Sequence, residues 1–168
     1  MNNVKRSLAA LFALVLVLTA GCGGKKASNK VVDYTVDVPS GFEEMEMEGL
    51  AKSWYHSSGS NVNVNITEKD STFKKITADA LRDALTQLME QSYSMTPTIT
   101  DKYFTNDEVC GMPAYQYCYD IEVMGVAMTQ LVVCIDADQT YTITYTDVTG
   151  DWMSQFETSA KNIELTFE

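Results

Sequence analysis

The pattern of apolar residues along this chain of 168 residues predicts an α+β domain with an antiparallel sheet. Two observations carry that expectation. Alternating apolar and polar residues recur in three segments, then in four more, while helix-period stripes occur only after each group. Strands that follow one another across short turn signals pair as antiparallel neighbours. Strict strand–helix alternation would instead mark a parallel sheet.

The elements read in order as follows. Tyr34, Val36 and Val38 alternate with Thr35 and Asp37, a half-buried strand that Pro39-Ser40-Gly41 breaks. Phe42 to Met47 alternates acidic and apolar side chains. Lys52 to His56 forms a second strand and Ser57-Ser58-Gly59-Ser60-Asn61 a turn. Val62, Val64 and Ile66 against Asn61, Asn63 and Asn65 make a third strand. Ala78, Leu81, Leu85, Leu88, Met89 and Ser92 then share a helix face. Thr77 is its N-cap, Asp79 and Asp83 complement its dipole, and Pro97 follows its end.

The second half is again strands. Ile99 to Val109 is one, with Gly111-Met112-Pro113 as its turn. Tyr115, Tyr117, Tyr119, Ile121 and Val123 line one face of the next, with Gln116, Cys118, Asp120 and Glu122 on the other. Met124-Gly125 is a hairpin turn. Val126 to Ile135 is apolar on both faces, which predicts a central strand covered from both sides. After the Asp136–Gln139 turn, Tyr141, Ile143 and Tyr145 alternate with threonines. A final helix from about Thr149 places Trp152, Phe156, Ala160 and Ile163 on one face, and Leu165 and Phe167 add a closing strand.

Composition describes a folded protein: 45% hydrophobic, 10% aromatic and 21% charged. The net charge is −11. That balance excludes nucleic acid as a partner, since phosphate binding needs lysine and arginine patches. Lys25, Lys26 and Lys30 form a local basic exception near the N-terminus.

The N-terminus begins with basic Lys5 and Arg6 and an uncharged, mostly apolar run from Leu8 to Leu18. Leu18-Thr19-Ala20-Gly21-Cys22 follows. The first two parts describe an export signal, and the small residues before Cys22 make it resemble a bacterial lipoprotein signal with its lipobox. The apolar run, about 13 residues to Ala20, falls short of the ~20 that a spanning helix needs. The resemblance implies cleavage between Gly21 and Cys22 and lipid attachment at Cys22. The organisation expected is a signal peptide at 1–21, a lipidated cysteine with flexible tether at 22–32, and one globular domain at 33–168. Loss of Lys5 and Arg6 would take the net charge to −13. The protein would then sit on the outer face of the cytoplasmic membrane, or in the periplasm or outer membrane of a two-membrane host.

Chemistry-bearing patterns are sparse. His56 is the sole histidine, and no Gly-x-Ser-x-Gly elbow, reactive-cysteine signature or Cys-x-x-Cys pair is present. Cys110, Cys118 and Cys134 are odd in number and read as buried free thiols. Glu43, Glu44, Glu46 and Glu48 form a run whose last three members share a face if extended, a row able to gather a hard cation or a basic partner. The alternating tyrosines read as core rather than as an aromatic ligand platform.

Three stretches carry a wider resemblance: Tyr34 to Phe42 (YTVDVPSGF), Gly111 to Tyr117 (GMPAYQY), and Tyr141 to Thr146 (YTITYT). With the closing helix and Asn162 to Phe167 (NIELTF), they resemble PsbP-like domains across nearly the whole domain. The family is named for an accessory subunit of photosynthetic water oxidation and shares its fold with a Ran-binding nuclear import factor and with bacterial envelope lipoproteins. The resemblance implies an antiparallel β-sheet sandwiched by helices, an α/β/α sandwich, and carries no shared catalytic motif. The function expected is therefore non-enzymatic: a lipid-anchored envelope protein with a binding or accessory role. No cofactor and no metal is expected, and the partners are the membrane through acylated Cys22 and a basic envelope protein or peptide. Two alternatives remain open: a solute- or surface-ligand-binding lipoprotein, and a hydrolase with an unrecognised carboxylate site.

Overall fold

The structure, a computed structural model, describes residues 30–69, 73 and 76–168. The signal-like segment with Gly21 and Cys22, and the tether up to residue 29, lie outside the described residues. The chain forms β1 (Val31–Thr35), β2 (Glu43–Glu44), β3 (Lys52–Tyr55), β4 (Asn61–Thr67), α1 (Ala78–Tyr93), β5 (Thr98–Val109) and β6 (Met112–Val123). It continues through β7 (Val126–Asp136), β8 (Thr140–Asp147), α2 (Met153–Lys161) and β9 (Glu164–Phe167). Strands β2 to β8 make one seven-stranded sheet in the order β2-β3-β4-β8-β7-β6-β5. Every pairing in it is antiparallel. The closing strand β9 joins β1 as a separate antiparallel pair.

Three successive hairpins, β5–β6, β6–β7 and β7–β8, follow from the short turns the sequence marks. The β4–β8 neighbourhood does not, because β4 leaves the sheet through α1 and its partner arrives more than seventy residues later. Strand β7 lies between β6 and β8, and both its faces are buried from Gln130 to Asp136. This is the central strand expected from a run that is apolar on both sides.

Each face of the sheet has its own core. On one, Leu81, Leu85 and Met89 of α1 pack with Tyr115, Tyr117, Tyr119, Ile121 and Val132. On the other, Phe156 and Ala160 of α2 and Leu165 of β9 pack with Val62, Val64, Leu131, Val133, Ile143 and Tyr145. The fold is thus an antiparallel sheet with helices on both faces. The tyrosines are core, as expected, but on opposite faces: Tyr115, Tyr117 and Tyr119 lie under α1, Tyr141 and Tyr145 under α2.

Helix α1 keeps the ends its sequence specifies. Thr77 Oγ1 accepts from the Ala80 N–H at 3.2 Å, and Ser94, at φ 53°, closes the C-terminus by donating to Glu90 O at 3.1 Å. Its inward face is narrower than the periodicity indicates, with Leu88 half-buried and Ser92 exposed.

Several boundaries differ from expectation. Strand β1 ends at Thr35, so Val36 and Val38 pack beneath the sheet as irregular chain. The β5–β6 turn is Cys110-Gly111, and Met112 and Pro113 already belong to β6 opposite Val109 and Glu108. Helix α2 starts at Met153, later than Thr149, because Asp147 organises the intervening loop. Its Oδ1 accepts from the N–H groups of Thr149 at 3.0 Å and Gly150 at 2.8 Å. Its Oδ2 accepts from Trp152 and Met153 at 2.8 and 3.0 Å, the bonds an N-cap side chain would supply.

Leu85 is 1% exposed beneath α1. Leu85→Ala is expected to cost about 2–5 kcal/mol in chemical denaturation, as buried leucine truncations do. A loss below about 0.5 kcal/mol would mean that α1 does not pack as described.

Candidate functional site

The acidic run lies at one edge of the main sheet. Glu43 pairs with Tyr55 and Glu44 with Trp54, but strand β2 stops there. Glu46 and Glu48 therefore do not continue an extended row, which corrects the expectation of one shared face. The chain instead curls back: Leu50 N–H donates to Met47 O at 3.2 Å and Ala51 N–H to Val64 O at 2.8 Å. Tyr55 hydroxyl meets Met47 Sδ at 2.8 Å beneath this curl. The result is an edge groove of about 540 Å³ lined by Glu44 to Glu48, Leu50, Lys52 and Ser53. All four glutamates are exposed. A short, charged edge strand also keeps another sheet from adding to this edge. Among the described residues, no group of three or more His, Cys, Asp or Glu side chains converges as metal ligands would.

His56 sits at the end of β3, where the sequence placed it. Its ring packs against Phe42 and Trp152, with centroids 5.3 and 4.7 Å away, and those two rings meet each other at 4.9 Å. Nδ1 accepts from the Ser58 N–H at 3.1 Å and meets Ser58 Oγ at 2.9 Å. The Ser58 hydroxyl in turn donates to Ser60 Oγ at 3.2 Å, and Ser60 Oγ accepts from Val148 N–H at 3.2 Å. The imidazole thereby stitches the β3–β4 turn to the loop after β8.

Cys110 and Cys118 carry free thiols, and Cys134 Sγ meets Thr142 Oγ1 at 3.4 Å. Cys118 and Cys134 are buried, as expected, while Cys110 is exposed, a correction to the buried-thiol reading. Cys110 occupies a turn at φ 52°, and its Sγ accepts from Leu165 N–H at 3.3 Å, fastening β9 to the β5–β6 turn. Burial pushes the Cys118 thiol up to about 11, so it stays protonated and unreactive at neutral pH. Burial likewise raises Tyr119, whose hydroxyl donates to Gln130 Oε1 at 2.5 Å.

Two features escaped the sequence reading. One is Asp147, whose five accepted hydrogen bonds set the loop before α2. An aspartate a few residues before a helix is a usable capping cue, but its reach across six residues is not visible in spacing. The other is the 75% exposure of Met124, held at φ 52° in the hairpin turn that the sequence did mark.

What these pieces define is a class by architecture alone: an α+β sandwich of the PsbP-like kind. The solution structure of cyanobacterial PsbP (CyanoP) from Synechocystis sp. PCC 6803 is similar to it with a TM-score of 0.62 at 15% identity, over 88% of this chain and 98% of that one. At this identity the likeness concerns the fold. LpqN, described as involved in cell envelope biogenesis of Mycobacterium tuberculosis, matches at a TM-score of 0.49 and 8% identity, over 79% of this chain and 83% of that one. A Bacteroides thetaiotaomicron VPI-5482 protein also scores 0.49, at 14% identity, over 80% of this chain and 46% of its own. Neither of these last two adds to the argument. No family model matches the chain, and no curated protein matches it.

Raised acid groups make the fold sensitive to alkali. Cys118 ionises near the ordinary thiol value of 9.0 when unfolded and at about 11 when folded. Above the lower value the unfolded state binds fewer protons than the folded one, so stability falls as pH rises. The contribution is whole below about 9 and is lost progressively towards about 11. Denaturant midpoints measured from pH 7 to pH 11 are expected to hold until about pH 9 and then decline. Cys118→Ala should flatten the first part of that decline, and an unchanged profile would show that the thiol ionises freely in the folded state.

Proposed function

We propose that this protein is a lipid-anchored, non-enzymatic envelope domain that works outside the cytoplasmic membrane by binding or supporting a partner. The observation that carries the reading is the N-terminal pattern: basic Lys5 and Arg6, the apolar run from Leu8, then Ala20-Gly21-Cys22. The domain supports it geometrically. Lys30, the first described residue, places its Nζ 3.3 Å from Glu168 Oε2, and β1 pairs directly with β9. Eight fully extended residues, 22–29, would give a tether of at most about 25–30 Å. Among the described residues, no helix is long and apolar enough to cross a membrane. Two acyl chains on Cys22 would hold such a protein durably where one would not, at ~0.8 kcal/mol per buried methylene.

A binding role suits the chemistry on display better than catalysis does. His56 has Nδ1 committed to Ser58, and Asp147 is saturated by backbone N–H groups. Asp120 and Asp136 face Lys102 and Lys69 at 2.9 and 3.2 Å. The exposed acidic surface steers a basic envelope protein or peptide by long-range attraction, and salt with a Debye length of ~8 Å screens it at physiological strength. The groove of about 540 Å³ beside Glu44 and Lys52 favours a second reading, capture of a small solute, over hydrolysis.

Cys22→Ala is expected to release the protein from membranes or to leave it as unprocessed precursor. Recovery of the variant in the membrane fraction at mature length would refute the anchor. Exchanging Glu43, Glu44, Glu46 and Glu48 together for glutamine should weaken capture of a basic partner several-fold in low salt and little in high salt. Capture that is insensitive to both salt and the exchange would remove this surface from the binding mechanism.

A further inference from the structure

The tip of the β6–β7 hairpin carries a residue that its turn disfavours. Met124 and Gly125 form the connection, both at positive φ, 52° and 74°. A turn of this kind suits Asn-Gly or Gly-Gly, because a Cβ at positive φ crowds the neighbouring carbonyl. Two other non-glycine residues adopt the same conformation, and each has a structural return. Ser94 closes α1 through Glu90 O, and Cys110 binds the β9 backbone. Among the described residues, Met124 makes no such hydrogen bond. Its side chain is 75% exposed, an apolar group held in water at a strained position. Outliers of this kind mark function more often than scattered exposed hydrophobics do.

A shallow cleft of about 280 Å³ lies beside the tip, lined among others by Thr98, Asp120, Glu122 and Thr129. Lys102 and Thr129 engage Asp120 at 2.9 and 2.6 Å. Glu122 is exposed and has no ion pair among the described residues, two positions from Met124. An apolar knob therefore stands next to an open carboxylate. The tip is also remote from the chain entry. Cys110, at the opposite end of the twelve-residue β6, holds β9 and through it β1. That strand spans roughly 40 Å at the usual rise per residue.

We propose that Met124 is the apolar anchor of a docking site for a basic protein segment, one of whose lysine or arginine side chains enters the cleft against Glu122. Charge selects this occupant: a chain of net charge −11 disfavours a second copy and an anionic lipid surface at this tip. The inference rests on the anchored, extracytoplasmic reading above, under which the end remote from the tether faces away from the membrane.

The test uses the full-length protein in its own cell, with the photocrosslinker benzoylphenylalanine placed at Thr98 on the cleft wall. The expected product is an adduct with one protein whose crosslinked peptide is basic. Met124→Asn should lower its yield at least tenfold, and Glu122→Gln several-fold. The purified Met124→Asn protein should melt at the same temperature or about 2 °C higher, since Asn-Gly fits the turn. No protein adduct, an adduct only with a second copy or with lipid, or a yield indifferent to Met124→Asn overturns the proposal. Membrane fractionation of Cys22→Ala reads the anchor separately, so failure at the tip and failure of the anchor are distinguished.

Discussion

The fold depends on a single constraint, that β7 must be covered on both faces. Leu131, Val133 and Ile135 point one way from β7, while Met128, Val132 and Cys134 point the other. A sheet with two apolar faces in its middle requires a cover on each, and the chain supplies different covers. Helix α1 shields the β5–β6–β7 half of one face. Helix α2 and the β1–β9 pair shield the other. The small β1–β9 sheet is thus a second layer that brings the chain's described ends together at Lys30 and Glu168.

The first face is not uniform. Beyond the tyrosines the floor becomes polar, with Asn61 and Asn63 of β4 opposite Thr146 and Thr144 of β8, and Gln130 of β7 alongside. These groups are buried and largely satisfy one another. Asn63 Nδ2 donates to Asn61 Oδ1 at 2.6 Å, and Gln130 Nε2 to Thr146 Oγ1 at 3.0 Å. Tyr119 extends the chain through Gln130 Oε1. Bonded side chains of this sort fix register, since a slip of one residue would place them in the apolar core. Asn63 Oδ1 is left without a hydrogen-bond partner.

The ends of the sheet divide the labour. One end is fastened by Cys110 to β9 and by Lys69 to Asp136 and Ala137 O. The other is tied by Asp147 and by the stack of Phe42, His56 and Trp152, which links the β3–β4 turn to the start of α2. Met124 at the β6–β7 tip is one of three non-glycine residues at positive φ, with Ser94 and Cys110.

The elements were legible because their periods are strong and their stops are chemical. Thr77, Pro97 and Met124-Gly125 mark boundaries that the structure keeps, and the two-sided run of β7 announced a central strand. The PsbP-like sandwich was likewise legible from the order of elements and from turn patterns around Pro39 and Gly111. What tertiary structure alone decided concerns partners distant in sequence. It placed β4 against β8, divided the tyrosines between two faces and left Cys110 at the surface. It also curled the Glu46–Glu48 segment away from the strand that local alternation suggested. Periodicity reports which side of an element is apolar, but not what will lie against it. The choice of partner is made by packing and hydrogen bonding between segments the chain brings together only when folded.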